Sequence, residues 1–292
     1  AVGAPAAATA VEVSLGGVEF DVVSGRVTIA VTGAEFQMAL NGATTSGWHV
    51  VTVAAGDRLA VRPGRRGSWA YVAFAGRLAV PRWLGHTATH SMSGFGGGAL
   101  VTDSTFDVED ATVVHDREGE IPAPDFRRWD PPVRVVIGPQ EQHFDPEALD
   151  VLTSSTYRLT EAYDRMGVRL DGPALALAGA LSIPSEPIVR GSVQVTGDGV
   201  PAVLLADHQT TGGYPKIATV ISPDLDGFAQ RRAGDAVRFD SVTPTDAVSA
   251  ARADAVLVDD YLASIAGPGR TLSHRLRQQN LIGGAVHLSP DG

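Results

Sequence analysis

Hydrophobic and polar positions alternate over short stretches through the first half of the chain, and the stretches break at glycine. VEVSLGGVEFDVV, RVTIAVTGAEFQMALNG, WHVVTVAAGDRLAV and SWAYVAFAGRLAV are rich in β-branched and aromatic residues. Turn signals recur about every ten residues, as an all-β barrel or sandwich requires. A second β-rich half starts at VRVVIGP and continues through SSTYRLTEAYDRMGVRL. The near-continuous apolar run from Val200 to Ala206 predicts a strand buried on both faces. Three helices interrupt this pattern. Asp145-Pro146 is a favoured N-cap and first-turn combination. A second helix is expected to be capped at Ser222-Pro223, with Leu225, Phe228 and Ala229 facing the sheet. A third, marked at its start by Thr243-Pro244, is predicted over about Asp246 to Ile265, with Val248, Ala251, Ala255, Val258, Leu262 and Ile265 in helical spacing. Gly267-Pro268-Gly269 ends it. DREGEIPAPDFRRWDPP (116–132) reads as a linker. The expected organisation is mostly β: one domain over 1–125, a second over 126–266 and a tail over 267–292.

Composition narrows the class of function. At 292 residues, 44% hydrophobic and 19% charged, the chain is a globular protein with room for two ordinary domains. A formal charge of −10 and a pI near 5.2 argue against nucleic-acid binding and against acidic membranes. No apolar run is long enough for a transmembrane helix. The opening AVGAPAAATA lacks the basic and apolar regions of a secretory signal. With no cysteine there is no disulfide framework, thiolate nucleophile or zinc-thiolate site. A cytoplasmic protein is expected. No His-Glu-x-x-His or clustered histidines point to a metal.

The chemistry concentrates in one stretch. The apolar run of 200–206 leads into Asp207-His208-Gln209-Thr210-Thr211-Gly212-Gly213-Tyr214-Pro215-Lys216. Polar groups delivered from the end of a core strand are costly unless they meet each other or a ligand. The paired glycines let the backbone turn and approach a ligand closely. An ordinary hairpin turn is the plainer alternative. Asp207 and His208 are adjacent, so on a strand their side chains diverge and they do not form a catalytic pair. Asp207 is the candidate carboxylate for proton handling, with Gln209 and Tyr214 beside it as catalytic candidates. Gln140, Gln194, Thr210, Thr211, Gly212, Gly213 and Lys216 are candidate donors to an amide or carboxyl oxygen. If 165–169 is extended, Arg165 and Arg169 share a face and favour an anion; surface pairing with Glu161, Asp164 or Asp171 is the alternative. Ser93-Gly94-Phe95-Gly96-Gly97 is a flexible or closely approached loop, with no Gly-Lys-Ser/Thr after it to make it a P-loop.

DHQTTGGYP, preceded by GSVQV and followed by AQRRAGDAVRF, resembles the family of allophanate hydrolase subunit 2, the C-type subunit of bacterial 5-oxoprolinase and the KipA regulators. GPQEQHF (138–144) and YDRMGVRLDG (163–172) extend the resemblance, which spans roughly residues 10–265. His208 stands where the family usually has Arg, Gln142 where it has Asp, and Thr196 where Pro is common. The family's Gly-rich opening segment has no counterpart before Ala1, so site residues from that segment are not expected within this sequence. The resemblance implies two tandem cyclophilin-like β-barrel domains and a reaction on an amide or a carboxylated nitrogen. It also implies a site loop at Ser93-Gly94-Phe95-Gly96-Gly97, for which a plain loop is the alternative. It implies a B-type partner (a KipI-like or allophanate hydrolase subunit 1-like chain, separate or fused in the parent gene) and an A-type subunit. ATP is implied at the level of the complex. Biotin enters only on another subunit, because Tyr-Pro-Lys-Ile is not a biotin-attachment site. The activity implied is ATP-dependent hydrolysis of 5-oxoproline by a chain inactive alone. The alternatives are a carboxyltransferase subunit of the urea carboxylase or allophanate hydrolase type, and a KipA-like regulator with no turnover.

Overall fold

The computed structural model describes residues 1–5, 7–125, 132–179 and 182–267. The boundary expected at 125/126 adjoins residues outside this set, and so does all of the expected tail beyond Gly267. The mostly-β class read from the sequence is the class of the structure. Its buried apolar residues form two clusters, one drawn from residues 2–121 and one from 133–239.

In the first half a five-stranded sheet runs in the order Ala10–Val13, Ala70–Phe74, Arg26–Gly33, His49–Ala54, Gly119–Glu120. A four-stranded sheet of Val18–Asp21, Arg58–Arg62, Gln37–Leu40 and Ala43–Ser46 packs over the same core. Arg26–Gly33 is the central strand. Its Val27-Thr28-Ile29-Ala30-Val31 run is buried on both faces, and β-branched residues suit that position. Residues 81–104, the Gly-rich stretch, form irregular loop structure apart from a Trp83–His86 bridge.

The second half is an eight-stranded sheet ordered Ala236–Val237, Tyr157–Tyr163, Gly167–Asp171, Pro201–Leu204, Ser192–Val195, Lys216–Val220, Val133–Ile137, Phe239–Ser241. The two edge strands are consecutive in the chain with only Arg238 between them, so one short segment closes the sheet into a barrel. Closure removes the exposed edge. Tyr157, Leu152, Val193, Val203, Ile217 and Phe239 fill the interior.

The helices refine the expectations from sequence. α1 (Pro146–Ser154) starts as expected with Asp145 at the N-cap, although the Asp145 side chain makes no capping bond. α2 (Ser222–Ala229) has Ile221, not Ser222, at its N-cap, so no side chain caps it. Leu225 and Phe228 are buried as the spacing predicts. α3 (Pro244–Ala266) starts at Thr243-Pro244, and Thr243 Oγ1 accepts from the Asp246 backbone N–H at 3.1 Å. None of its residues is buried. Ala251, Val258 and Ile265 are half-covered, whereas Val248, Ala255 and Leu262 face solvent. The half-covered stripe instead includes Ala247, Asp254 and Tyr261, because α3 crosses from α2 to the first half, where Ile265 meets the core and Tyr261 donates to the Pro122 carbonyl.

Candidate active site

Asp207 lies in the turn after the core strand Pro201–Leu204, two residues beyond buried Leu205, and its backbone N–H bonds the Arg165 carbonyl at 2.8 Å. Its carboxylate is buried and accepts four hydrogen bonds. Arg165 donates from Nε to Oδ2 and from Nη2 to Oδ1, both at 3.1 Å, in a bidentate pair. Ser91 donates to Oδ2 from its backbone N–H at 3.0 Å and from Oγ at 2.7 Å. Arg165 also pairs through Nη1 with Glu12, which accepts from the Tyr71 hydroxyl at 3.0 Å. Burial pushes the Asp207 carboxyl up, but the Arg165 and Ser91 donors outweigh it and hold it below the usual carboxylate range. The hydrogen bond to Asp207 raises the Arg165 guanidinium further, against the opposing effect of burial. Burial, with the Glu12 carboxylate behind it, raises Tyr71. The result is a chain of charged and polar groups joining the two halves. A proton-accepting role for Asp207 falls to Oδ1, which accepts only the Arg165 Nη2 bond.

A second cluster lies on the outer face of the barrel. Gln194 and Lys216 are register partners on neighbouring strands, and both are buried. Gln140, also buried, accepts the Lys216 backbone N–H on Oε1 at 2.9 Å and donates from Nε2 to Glu186. Gln194 Nε2 reaches the Tyr214 carbonyl at 3.3 Å, and Gln209 Nε2 reaches Gln194 Oε1 at 3.4 Å. A two-residue ladder, Glu186–Pro187 against Thr211–Gly212, lies against these amides. A Cβ on Gly212 would stand 2.5 Å from Ile188 Cδ1 and 2.9 Å from Gln194 Nε2, so a side chain there would push the ends of those two side chains aside. The Lys216 ammonium has no hydrogen-bond partner among the described residues.

The remaining candidates lie at the margins of these clusters or apart from them. Arg169 is exposed and pairs with Asp198 at 3.2 Å, while Arg165 sits in the turn between strands, so the two guanidiniums do not share an anion. The partners differ from those anticipated for a surface pairing. Thr210 and Thr211 are exposed, and Tyr214 is 44% exposed with only its carbonyl engaged in the cluster. Gly213 lies in the same turn, its carbonyl accepting the Ile183 N–H at 2.7 Å. His208 Nδ1 turns to the Gln209 carbonyl at 2.7 Å, away from Asp207. In the Gly-rich loop, Phe95 stacks on Trp83 at 4.2 Å, Ser93 bonds His90, and Gly94 and Gly96 take positive φ. Gly97 bonds back to Thr87. The loop meets Asp207 through Ser91, two residues before the stretch singled out from sequence. Ser91, Glu12, Tyr71 and Glu186 escaped sequence reasoning, because nothing local distinguishes them from surface residues.

A cavity of about 1050 Å³ lies between the halves. Phe36, Trp48, Trp69, Tyr71 and Arg190 contribute to its walls. Tyr71 links this cleft to Glu12 and so to Arg165 and Asp207. An apolar, aromatic-walled cleft with an ordered charge network at its margin is the usual form of a small-molecule site. Among the described residues no group of three or more His, Cys, Asp or Glu is placed to hold a metal. No helix among them is long and apolar enough to cross a membrane.

Residues 1–241 match the family model "Carboxyltransferase domain, subdomain A and B". The chain belongs to this family. It is 32% identical over 256 residues to the C-type subunit of 5-oxoprolinase from Escherichia coli K12, covering 85% of this chain and 80% of that one. The crystal structure of TTHA0988 is similar with a TM-score of 0.72 and 31% identity over 82% of this chain. This carboxyltransferase-family chain spans only 47% of that structure, about half its length. The Kluyveromyces lactis urea carboxylase crystal structure superposes with a TM-score of 0.74 over 91% of this chain and 25% of its own. At 21% identity that likeness shows the fold alone.

Proposed function

We propose that the chain is the C-type subunit of an ATP-dependent amide hydrolase of the 5-oxoprolinase kind. It would open the ring of 5-oxoproline to glutamate with a B-type and an A-type subunit, in the cytoplasm, and be inactive alone. The observation that carries this reading is the similarity to the Escherichia coli 5-oxoprolinase component, which spans most of both chains rather than one shared segment. The site chemistry agrees with it. A lactam is a stable amide, and its opening needs donors for the negative charge that develops on oxygen. Gln140, Gln194 and Gln209 supply neutral donors for the oxygens of the substrate, its carboxylate included, and Arg165 with Asp207 supplies a fixed field at the cleft margin. ATP, bound at the level of the complex, would activate the amide oxygen by phosphorylation before water attacks.

Co-expression with the neighbouring B- and A-type subunits, followed by assays of glutamate and ADP release, tests the proposal. The expected result is 5-oxoproline-dependent turnover by the complete complex and none by the purified chain. Turnover by the chain alone at the rate of the complex would remove the need for partners. If the complete complex ignores 5-oxoproline and instead carboxylates urea from a biotin-bearing partner, the hydrolase reading fails and the carboxyltransferase reading replaces it.

A further inference from the structure

Lys216 is the only lysine in the chain and is 3% exposed. Its Nζ is enclosed without a hydrogen-bond partner among the described residues. Lysine is seldom fully buried, and an ammonium removed from water with no acceptor is strongly unfavourable. A buried orphan of this kind calls for an acceptor. Its surroundings supply further donors. Gln194 sits opposite Lys216 in the sheet register. The Gln194 and Gln209 amide nitrogens make only long bonds, at 3.3 and 3.4 Å, and each carries a second N–H. Both nitrogens lie beside Gly212, within 2.9 and 3.5 Å of where a Cβ on that residue would stand. The nearby carboxylate of Glu186 is on an exposed residue and is held by Gln140.

We propose that Lys216, with the side-chain amides of Gln194 and Gln209, binds the carboxylate of a small acid. The inference deepens the hydrolase reading, on which it rests only for the identity of the acid: 5-oxoproline carries one carboxylate beside its amide. The ladder of Glu186–Pro187 on Thr211–Gly212 must part for the acid to enter, and its two residue pairs make it an element that opens locally.

A single lysine makes the test direct, since ¹⁵N-lysine labelling gives one side-chain ammonium signal. The full chain, alone and in the reconstituted complex, is titrated with 5-oxoproline, with 2-pyrrolidinone (the same lactam without the carboxylate), with formate and with inorganic phosphate. A saturable shift with 5-oxoproline and formate but not with 2-pyrrolidinone is expected. A shift with formate but none with 5-oxoproline keeps the carboxylate site and counts against the proposed substrate. A shift with phosphate alone, or with none of the four, overturns the site. Lys216→Met should weaken 5-oxoproline binding about ten- to hundredfold, the worth of one charge-assisted hydrogen bond. Its thermal midpoint should be unchanged or higher, because an unpaired buried charge is replaced by an apolar side chain. Unchanged 5-oxoproline affinity in a folded Lys216→Met chain would also end the proposal. Should that variant fail to fold, the wild-type titrations decide the matter.

Discussion

Asp207 is a carboxylate whose neighbours come from far along the chain: Ser91 lies 116 positions away, and Glu12 lies 153 positions from Arg165. Its Asp207→Asn variant keeps the shape and removes the charge. Arg165 retains Glu12 and some contact with water, so the expected loss is about 1–3 kcal/mol, below the 3–5 typical of a fully buried broken pair. The pH dependence has a definite sign. Because folding depresses this carboxyl, its stabilisation is fully present above the unfolded value, about pH 4, and is lost as pH falls through the lower folded value. Urea unfolding of wild type and variant should therefore show a stability gap at pH 7 that narrows below about pH 4. A gap that stays constant to pH 3 would mean that the Asp207 charge does not carry it. The sequence marked Asp207 and Arg165 as chemically interesting residues. It was silent on their pairing, since no periodicity links positions 12, 91, 165 and 207.

Elements behave more locally, and more of them can be read in advance. The strands of the first half fall where alternation and glycine place them, and α3 begins at Thr243-Pro244 as its cap residue predicts. Thr243→Ala should cost about 0.5–2 kcal/mol of helix stability. Since α3 buries none of its residues, that cost should appear as faster amide exchange in its first turns, with the global unfolding midpoint nearly unchanged. An equal drop in global stability would show α3 to be integral to the barrel. The α2 cap and the face of α3 were less legible, because caps depend on one residue of register and the covered stripe depends on what the helix crosses. The two-residue ladder over the amide cluster had no strand signal at all. Gly212→Ala should push the Ile188 and Gln194 side-chain ends aside and loosen it, because the new methyl would meet both. Increased exchange at Ile188, whose N–H bonds the Thr210 carbonyl, is the readout, and unchanged protection there would refute the tight fit.

At the scale of the whole molecule, the two halves are joined by a set of hydrogen bonds beside the Asp207 network. Gln230 Oε1 accepts the backbone N–H groups of Ser68 and Trp69, both at 2.9 Å, and Gln230 Nε2 donates to the Trp69 carbonyl. Arg232 donates to the carbonyls of Gly64 and Gly67, both at 2.9 Å. Trp69 reaches Tyr163. Arg232→Ala removes two charge-assisted bonds and should lower stability by about 1.5–3 kcal/mol, with cleavage between the halves by a protease accelerated in proportion. Unaltered proteolysis would place the hold between the halves elsewhere. AQRR stood out in the sequence as part of a recognisable motif, yet its role as the docking segment appeared only in three dimensions. By itself the sequence determined the mostly-β class, the start of α3 and the family, because alternation, caps and contiguous motifs are properties of neighbouring residues. Tertiary structure alone decided which charges meet, that the barrel closes through residues 236–241, and that Lys216 is buried beside three glutamines. Those outcomes depend on strand register and on the docking of distant segments, which bring together residues that no local pattern relates.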